Sequence, residues 1–486
     1  MPISALPGDG PIGDLGTASY SFVDRLSELG AKYWQILPLS LLDKYGCPYA
    51  SPSAFGGEPL LIDGAPFSLS GDGTETHGPV DYEKLKETKD QNLRDLAKEK
   101  ITDEVVLTDL EKFQKQFSWV RDLAVFLTLR EAYGNKWTQW PEELRSVEEA
   151  TKKVVELYKV EFQVHLWLQM TFHDQWKKLR LYAEEKGIQI IGDIPIFVAH
   201  ESFDSWRNPE IFKIDPETYK PKVVTGAPPD EFNEKGQTWG TLNYHWQDEK
   251  LHDWWIDRLK YNNELYHLTR IDHFVGFHHV WEVPLTATDA TMGSYSPSDG
   301  RTLLKKVQAA FPHMPFIAED LGLLTDEIKK LRDDFNFPSM RVYQFSLEDA
   351  AKPQTKLDVN EHYPPNVPVH SFYYTGTHDN NTLKGWYEDV LDEDSPTYKG
   401  QLKERFSHLS SVKEWPEQIK EDVLKSQSQN VIFPLQDIFN FSKEARINIP
   451  GTTDNNWIWR MNLAQWDESA WDDLKEKLLK TGRSTH

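Results

Sequence analysis

Short runs of β-branched and aromatic residues alternate along the chain with longer stretches in which apolar positions recur every three to four residues. The short runs are Trp34-Gln-Ile-Leu-Pro38, Ile188-Gln-Ile-Ile-Gly-Asp193, Leu268-Thr-Arg-Ile-Asp272, Pro315-Phe-Ile-Ala-Glu319, Met340-Arg-Val-Tyr-Gln-Phe345, Phe372-Tyr-Tyr-Thr-Gly-Thr377 and Val431-Ile-Phe-Pro434. Strands separated by helices predict parallel βα units. Seven or eight such units predict an α/β fold, a (β/α)8 TIM barrel elaborated by inserted, largely helical subdomains. An open doubly wound sheet is the alternative on pattern alone. In a barrel the reactive residues sit at the C-terminal ends of strands, and several of these runs end there in an acid.

Residues 82–187 read mostly as helix, as in Glu111-Lys-Phe-Gln-Lys-Gln-Phe-Ser-Trp119 and Phe162-Gln-Val-His-Leu-Trp-Leu168. This predicts a mainly helical subdomain inserted over about 64–160 in a single catalytic unit spanning 1–486, followed by the barrel helix before Ile188. A second inserted loop and helix region is expected over about 200–262, above the cleft. Segments 64–81 and 284–300, rich in Gly, Ser, Thr and Asp, read as surface loops.

Composition narrows the partners. With 39% hydrophobic and 27% charged residues the chain has material for a large core, and no apolar run approaches the ~20 residues of a spanning helix. A formal charge of -23 disfavours nucleic acid and anionic membranes, while neutral substrates remain compatible. The single cysteine, Cys47, excludes an intrachain disulfide, and MPISALPGDG has no secretory pattern. A cytoplasmic setting is expected, or a plastid if a transit peptide has been removed.

Several string matches carry no chemistry. Gly8-Asp-Gly-Pro-Ile-Gly13 mimics a dinucleotide loop, but no strand precedes it and Pro11 removes a backbone donor. His278-His279 and the histidines from His245 to His252 lack the spacing of a zinc hydrolase, and neither a phosphate-binding loop nor a nucleophile elbow occurs. The sequon Asn380-Asn-Thr382 has no secretory signal to make it meaningful.

The carboxylates are more telling. Cleaving a glycosidic bond requires one acid to protonate the leaving oxygen and one carboxylate at the anomeric carbon. Asp272 and Glu319 end successive predicted strands, which sets them side by side at a barrel mouth. Arg270, two residues before Asp272, shares its strand face and would keep the aspartate ionised. Glu319 follows Phe316-Ile-Ala318, an apolar setting that favours the protonated acid, and alternation turns Asp320 to the other face. His378-Asp379-Asn380 adds donors and an acceptor for sugar hydroxyls. An aspartate taken singly is more often a helix cap or part of a surface pair.

At these residues the chain resembles the amylomaltases, or disproportionating enzymes, 4-α-glucanotransferases related to the α-amylases. Arg270-Ile-Asp-His-Phe274 is similar to the family's nucleophile strand, Ile317-Ala-Glu-Asp-Leu-Gly322 to its acid/base strand, and Gly376-Thr-His-Asp-Asn-Asn-Thr382 to its third-acid turn. Gly192-Asp-Ile-Pro-Ile-Phe-Val198 resembles the strand carrying a further substrate-site aspartate, Asp193. Gly226-Ala-Pro-Pro-Asp230 and Gly236-Gln-Thr-Trp-Gly240 resemble a mobile loop and its flank, and Pro48-Tyr-Ala-Ser-Pro-Ser-Ala-Phe55 a segment whose tyrosine, Tyr49, stacks on glucan. Ala445-Arg-Ile-Asn-Ile-Pro-Gly-Thr452 and Asn456-Trp-Ile-Trp-Arg460 complete the ordered set.

The resemblance implies retaining transfer between α-1,4-glucans, with Asp272 as nucleophile, Glu319 as acid/base and Asp379 as transition-state stabiliser. It implies Tyr49, Asp193, Gln237, Trp239, Arg270, His378 and Asn380 as substrate-binding residues. The expected partner is an α-glucan, bound by a monomer or homodimer, and the resemblance implies no metal and no organic cofactor. The chain departs from the family pattern at Glu58, Glu231, Thr241-Leu242, Val275 and Asn381, and Phe232 is left as the only ring of the mobile loop. The segment before Tyr49 is one residue shorter, and the chain begins inside the family's first strand, so that barrel position is expected to be truncated or built differently. Eighteen Trp and nineteen Tyr suit sugar stacking, though most are expected in the core. A hydrolase using the same acids is the competing reading, and a non-catalytic glucan-binding protein the remoter one; the motif around Trp239 favours transfer.

Overall fold

The computed structural model describes residues 1–69, 78–229, 234–322, 324–347, 359–392 and 396–484; Asp230, Glu231 and Phe232 lie outside them. Parallel strands at the centre run in two hydrogen-bonded groups. The first holds β1 (Tyr33–Gln35), β2 (Gln189–Ile194), β3 (Leu268–Ile271) and β4 (Phe316–Ala318), and the second β5 (Ser339–Val342), β6 (Ser371–Tyr374) and β7 (Asn430–Ile432). An Ala318 N–H to Pro338 carbonyl bond of 3.2 Å joins the two groups, and every run expected to form a strand overlaps one. The TIM-barrel-type fold read from the pattern is the fold observed.

The helices that wrap this cylinder follow from their sequences. α1 (Thr17–Leu29) stops at Gly30, whose φ of 75° is open to glycine, and the Ala31 N–H returns to the Leu26 carbonyl at 3.0 Å. That stop turns the chain straight into β1. α2 (Lys159–Glu185) buries Leu168, Phe172, Trp176, Leu179 and Ala183, a stripe at helical spacing that faces the barrel layer. α3 (Glu249–Leu265) begins under an Asp248 side-chain cap, and α4 (Gly300–Ala310) and α5 (Asp326–Asp334) precede β4 and β5. α6 (Trp415–Lys425) precedes β7, and α7 (Glu468–Lys480) closes the order.

Between β1 and α2 lie the helices Gln91–Lys100, Glu104–Gln116, Val120–Tyr133 and Val147–Leu157, inside the range expected for a helical insertion. α3 packs into the barrel's helical layer, burying Leu251, Trp255, Leu259 and Leu265. The stretch 284–300 is not all loop: Ser294–Pro297 pairs antiparallel with His279–Pro284, which pairs with Val223–Ala227 and through it with Gln237–Thr238. This small sheet stands beside the C-terminal ends of β2 to β4. Its alternating half-exposed residues give too weak a periodicity to separate strand from polar loop. Among the described residues no helix is long and apolar enough to cross a membrane.

One close approach fixes β2. A Cβ on Gly192 would lie 2.1 Å from the Tyr266 ring, and that ring is held by a 3.2 Å bond from the Leu39 N–H to its hydroxyl. Gly192→Ala is therefore expected to lower stability by about 1–3 kcal/mol through overpacking. Urea unfolding measures it; an unchanged midpoint would contradict this packing account.

Candidate active site

The site starts from strand register. β2 and β3 place Asp193 opposite Arg270, and β3 and β4 place Ile271 opposite Ala318, so Asp272 and Glu319 leave adjacent strand ends side by side. One inter-strand step is about 4.8 Å between backbones. Asp272 donates its backbone N–H to the Ile194 carbonyl (2.9 Å) and Glu319 to the Ile271 carbonyl (3.1 Å), which extends the ladder into the site.

Arg270, buried at the floor, links two acids: Nη1 lies 2.6 Å from Asp193 Oδ2 and Nη2 lies 2.8 Å from Asp272 Oδ1. Asp193 is enclosed, and burial pushes its carboxyl up to about 6 despite the Arg270 charge. Its Oδ2 also accepts a 2.7 Å bond from the Tyr49 hydroxyl. Asp272 is more open, its side chain 29% exposed toward the cleft.

Glu319 is held differently. Its Oε2 accepts the His273 N–H at 2.6 Å and its Oε1 the Leu321 N–H at 3.1 Å. His273 takes a left-handed φ of 51°, a costly conformation for a residue with a Cβ, and it aims that N–H at the carboxyl. Burial, with Arg270 opposing and the Asp272 charge reinforcing, pushes the Glu319 carboxyl up to about 8. The neighbouring Asp320 turns away and is consumed by Arg332 Nη1 (2.5 Å), Arg341 Nη1 (3.1 Å) and the Met340 N–H (2.8 Å). Alternation thus separates an acid facing the cleft from one that pins β5.

Asp379 reaches the same cleft from the turn after β6. Burial raises its carboxyl, but His378, the Asn448 amide and Arg270 outweigh that and leave it at about 2. Asp379 Oδ1 accepts from Asn448 Nδ2 at 2.7 Å and lies 3.3 Å from His378 Nε2, while Arg446 Nη2 donates to the Asp379 carbonyl at 2.6 Å. For His378 burial is likewise outweighed, by Asp379 and Asp193, so its imidazole is raised. Its ring stacks on Tyr49 at 5.0 Å, with Trp457 against both rings at 5.7 Å.

A family model described as 4-alpha-glucanotransferase matches residues 1–465. The chain belongs to the 4-alpha-glucanotransferase family. It is 38% identical over 477 residues to the 4-alpha-glucanotransferase of Aquifex aeolicus (strain VF5), covering 94% of each chain. It is 37% identical over 472 residues to that of Thermus thermophilus, covering 94% of this chain and 93% of the other. Among solved structures it is similar to an amylomaltase from Streptococcus agalactiae in complex with acarbose, with a TM-score of 0.91 and 32% identity over 100% of this chain and 98% of that one. The chain is accordingly an enzyme that transfers α-1,4-glucan segments.

In the structure Asp272, Glu319, Asp379, Asp193, Arg270, His378 and Tyr49 meet in one network. Trp239 stands at its edge, 36% exposed, with its ring edge-on to His273 at 4.8 Å and its Nε1 bonded to Gln237 Oε1 at 3.0 Å. Asn380 is placed otherwise than expected: its Oδ1 accepts from the Thr377 N–H and hydroxyl, both at 2.9 Å, so this oxygen shapes the turn instead of facing a sugar. Tyr49 likewise has one ring face on His378 and its hydroxyl on Asp193. Sequence reasoning left Asn448, Arg446, Trp457 and His273 without roles. The first three sit in motifs noted near the C-terminus, and only the long-range fold brings them to Asp379 and His378.

Proposed function

We propose that the enzyme works by retaining double displacement through a glucosyl ester on Asp272. The observation that carries this is the register that sets Asp272 and Glu319 one strand step apart. Retaining glycosidases hold their carboxyls about 5–5.5 Å apart, whereas inverting ones need about 6.5–9.5 Å for a water between them. An Asp272 oxygen attacks the anomeric carbon as the glycosidic bond breaks, and Glu319 gives its proton to the departing 4-oxygen. Glu319, now a carboxylate, takes the proton of an acceptor 4-hydroxyl as that oxygen attacks the same carbon and releases Asp272.

Arg270 orients Asp272 through the 2.8 Å contact of its Nη2 with Oδ1. Asp379, fixed by Asn448 and His378, accepts hydrogen bonds from the donor sugar, and these tighten as the oxocarbenium-like state forms. Tyr49 orients Asp193 and His378, and Trp239 with Gln237 flanks the acceptor side. The substrates are maltodextrin or starch chains, and the setting is cytoplasmic, in keeping with the acidic composition and single cysteine.

Incubation with maltotriose tests the reaction. Glucose plus longer oligomers at a constant number of reducing ends is expected; a rise in reducing ends matching substrate consumed would mark a hydrolase instead.

A further inference from the structure

The short helix that follows β7 reaches both segments that build the Asp379 side of the site. Pro434 opens it, and one turn, Leu435–Ile438, follows with all its residues buried. Successive residues of a helical turn point about 100° apart, so Gln436 and Asp437 address different neighbours. Lys420 of α6 fixes the turn itself: its Nζ donates to the Asp437 carbonyl at 3.2 Å and to the Ile438 carbonyl at 3.3 Å.

Asp437 holds the two ends of the turn between β6 and the helix Leu383–Asp392. Its Oδ2 accepts the Thr375 hydroxyl at 2.6 Å and its Oδ1 the Leu383 N–H at 2.7 Å. His378 and Asp379 lie between these anchors, and Gln344 Nε2 steadies the stretch by donating to the Asn381 carbonyl at 2.8 Å. Gln436 holds the second segment, its Nε2 donating to the Ala445 carbonyl at 3.1 Å. From there Arg446 and Asn448 reach Asp379, and the Asn448 N–H donates to the His378 carbonyl at 3.1 Å. Two adjacent side chains thus set the spacing between an acid and the groups that hold it.

Capping a helix does not call for this arrangement. A cap on Leu383–Asp392 takes one oxygen, which serine or asparagine supplies without enclosing a charge. Asp437 uses both oxygens and is only 1% exposed. Burial pushes its carboxyl up to about 6, against the pull of the Leu383 N–H, the Thr375 hydroxyl and Lys420. The second oxygen ties the strand end to the helix start across the turn, which decides where Asp379 stands.

We propose that Asp437, with Gln436 beside it, is a positioning residue for glucan transfer: by pinning Thr375 and Leu383 against the 445–448 segment it holds the Asp379 carboxylate in place against the donor sugar. This role rests on Asp379 being the group whose hydrogen bonds tighten in the transition state. Misplacing such a group by about 1 Å costs on the order of 10²-fold in rate, and the loss falls on kcat because the ground state gains little from those bonds.

Asp437→Ala removes both bonds and is expected to lower kcat on maltotriose by about 10–100-fold, with KM within about twofold. Asp437→Asn keeps the shape, accepts from Leu383 and donates to the Thr375 oxygen, so it should recover most of that loss. Thr375→Val cuts one tie only and should lower kcat by about threefold or more, which keeps a readout if Asp437→Ala does not fold. In an Asp379→Asn background, followed by fluoride release from α-maltosyl fluoride, either change should cost less than about twofold further, since residues that act as a unit are not additive. Parent kcat in Asp437→Ala and Thr375→Val beside an impaired Asp379→Asn would overturn the clamp alone. Equal losses in both backgrounds, the mark of a merely structural role, would overturn it too, as would Asp437→Asn as impaired as Asp437→Ala. Parent kcat in Asp379→Asn would overturn it together with the reading of Asp379 beneath it.

Discussion

Asp272→Asn is expected to lower glucan transfer by at least about 10⁴-fold, as removal of a covalent nucleophile does in other enzymes. The amide matches the carboxylate in shape but cannot form the ester, and Arg270 keeps its 2.6 Å partner in Asp193. The fold is therefore expected to persist, with Tm within a few degrees of the parent. Initial rates on maltotriose and a thermal melt on the same preparation check both halves. A variant that retains transfer would remove Asp272 from the centre of the mechanism.

Glu319→Gln is expected to lose about 10²–10⁴-fold on maltotriose, the usual contribution of a positioned general acid. On α-maltosyl fluoride, whose leaving group needs no proton, formation of the ester should be nearly restored. The parent's pH profile gives a second handle on the same residue. Its carboxyl is raised to about 8, so the proton-donating form is populated below that pH and lost above it. kcat/KM on maltotriose should fall as pH rises through about 8, and this limb should vanish with the fluoride donor. A limb that persists unchanged with the fluoride belongs to another group.

Much of this arrangement could be read before the fold was known, for a physical reason. Barrel strands are short apolar runs, and the polar residue that ends each one lies at the mouth, so Asp193, Asp272 and Glu319 declared their positions by ending Ile188–Asp193, Leu268–Asp272 and Pro315–Glu319. Period-two alternation separated Glu319 from Asp320, and the network of Asp320 with Arg332 and Arg341 accounts for that second acid.

The rest depended on contacts that leave no local trace. Asn448 and Arg446 reach Asp379 across more than sixty residues, and no periodicity encodes that pairing. His273 could be seen beside Asp272, but not the left-handed turn that points its N–H at Glu319. Asn380 had the chemistry of a sugar ligand, and its oxygen was claimed by the nearer Thr377 N–H. The sheet beside the mouth, built partly from Ser294–Pro297, was hidden by residues as polar as a loop's.

The covalent step remains the centre of the account. Glu319→Gln mixed with α-maltosyl fluoride, quenched in acid within seconds and digested, should yield a peptide containing Asp272 that is heavier by one maltosyl group. An adduct on another residue, or none while fluoride is released at the expected rate, would contradict it.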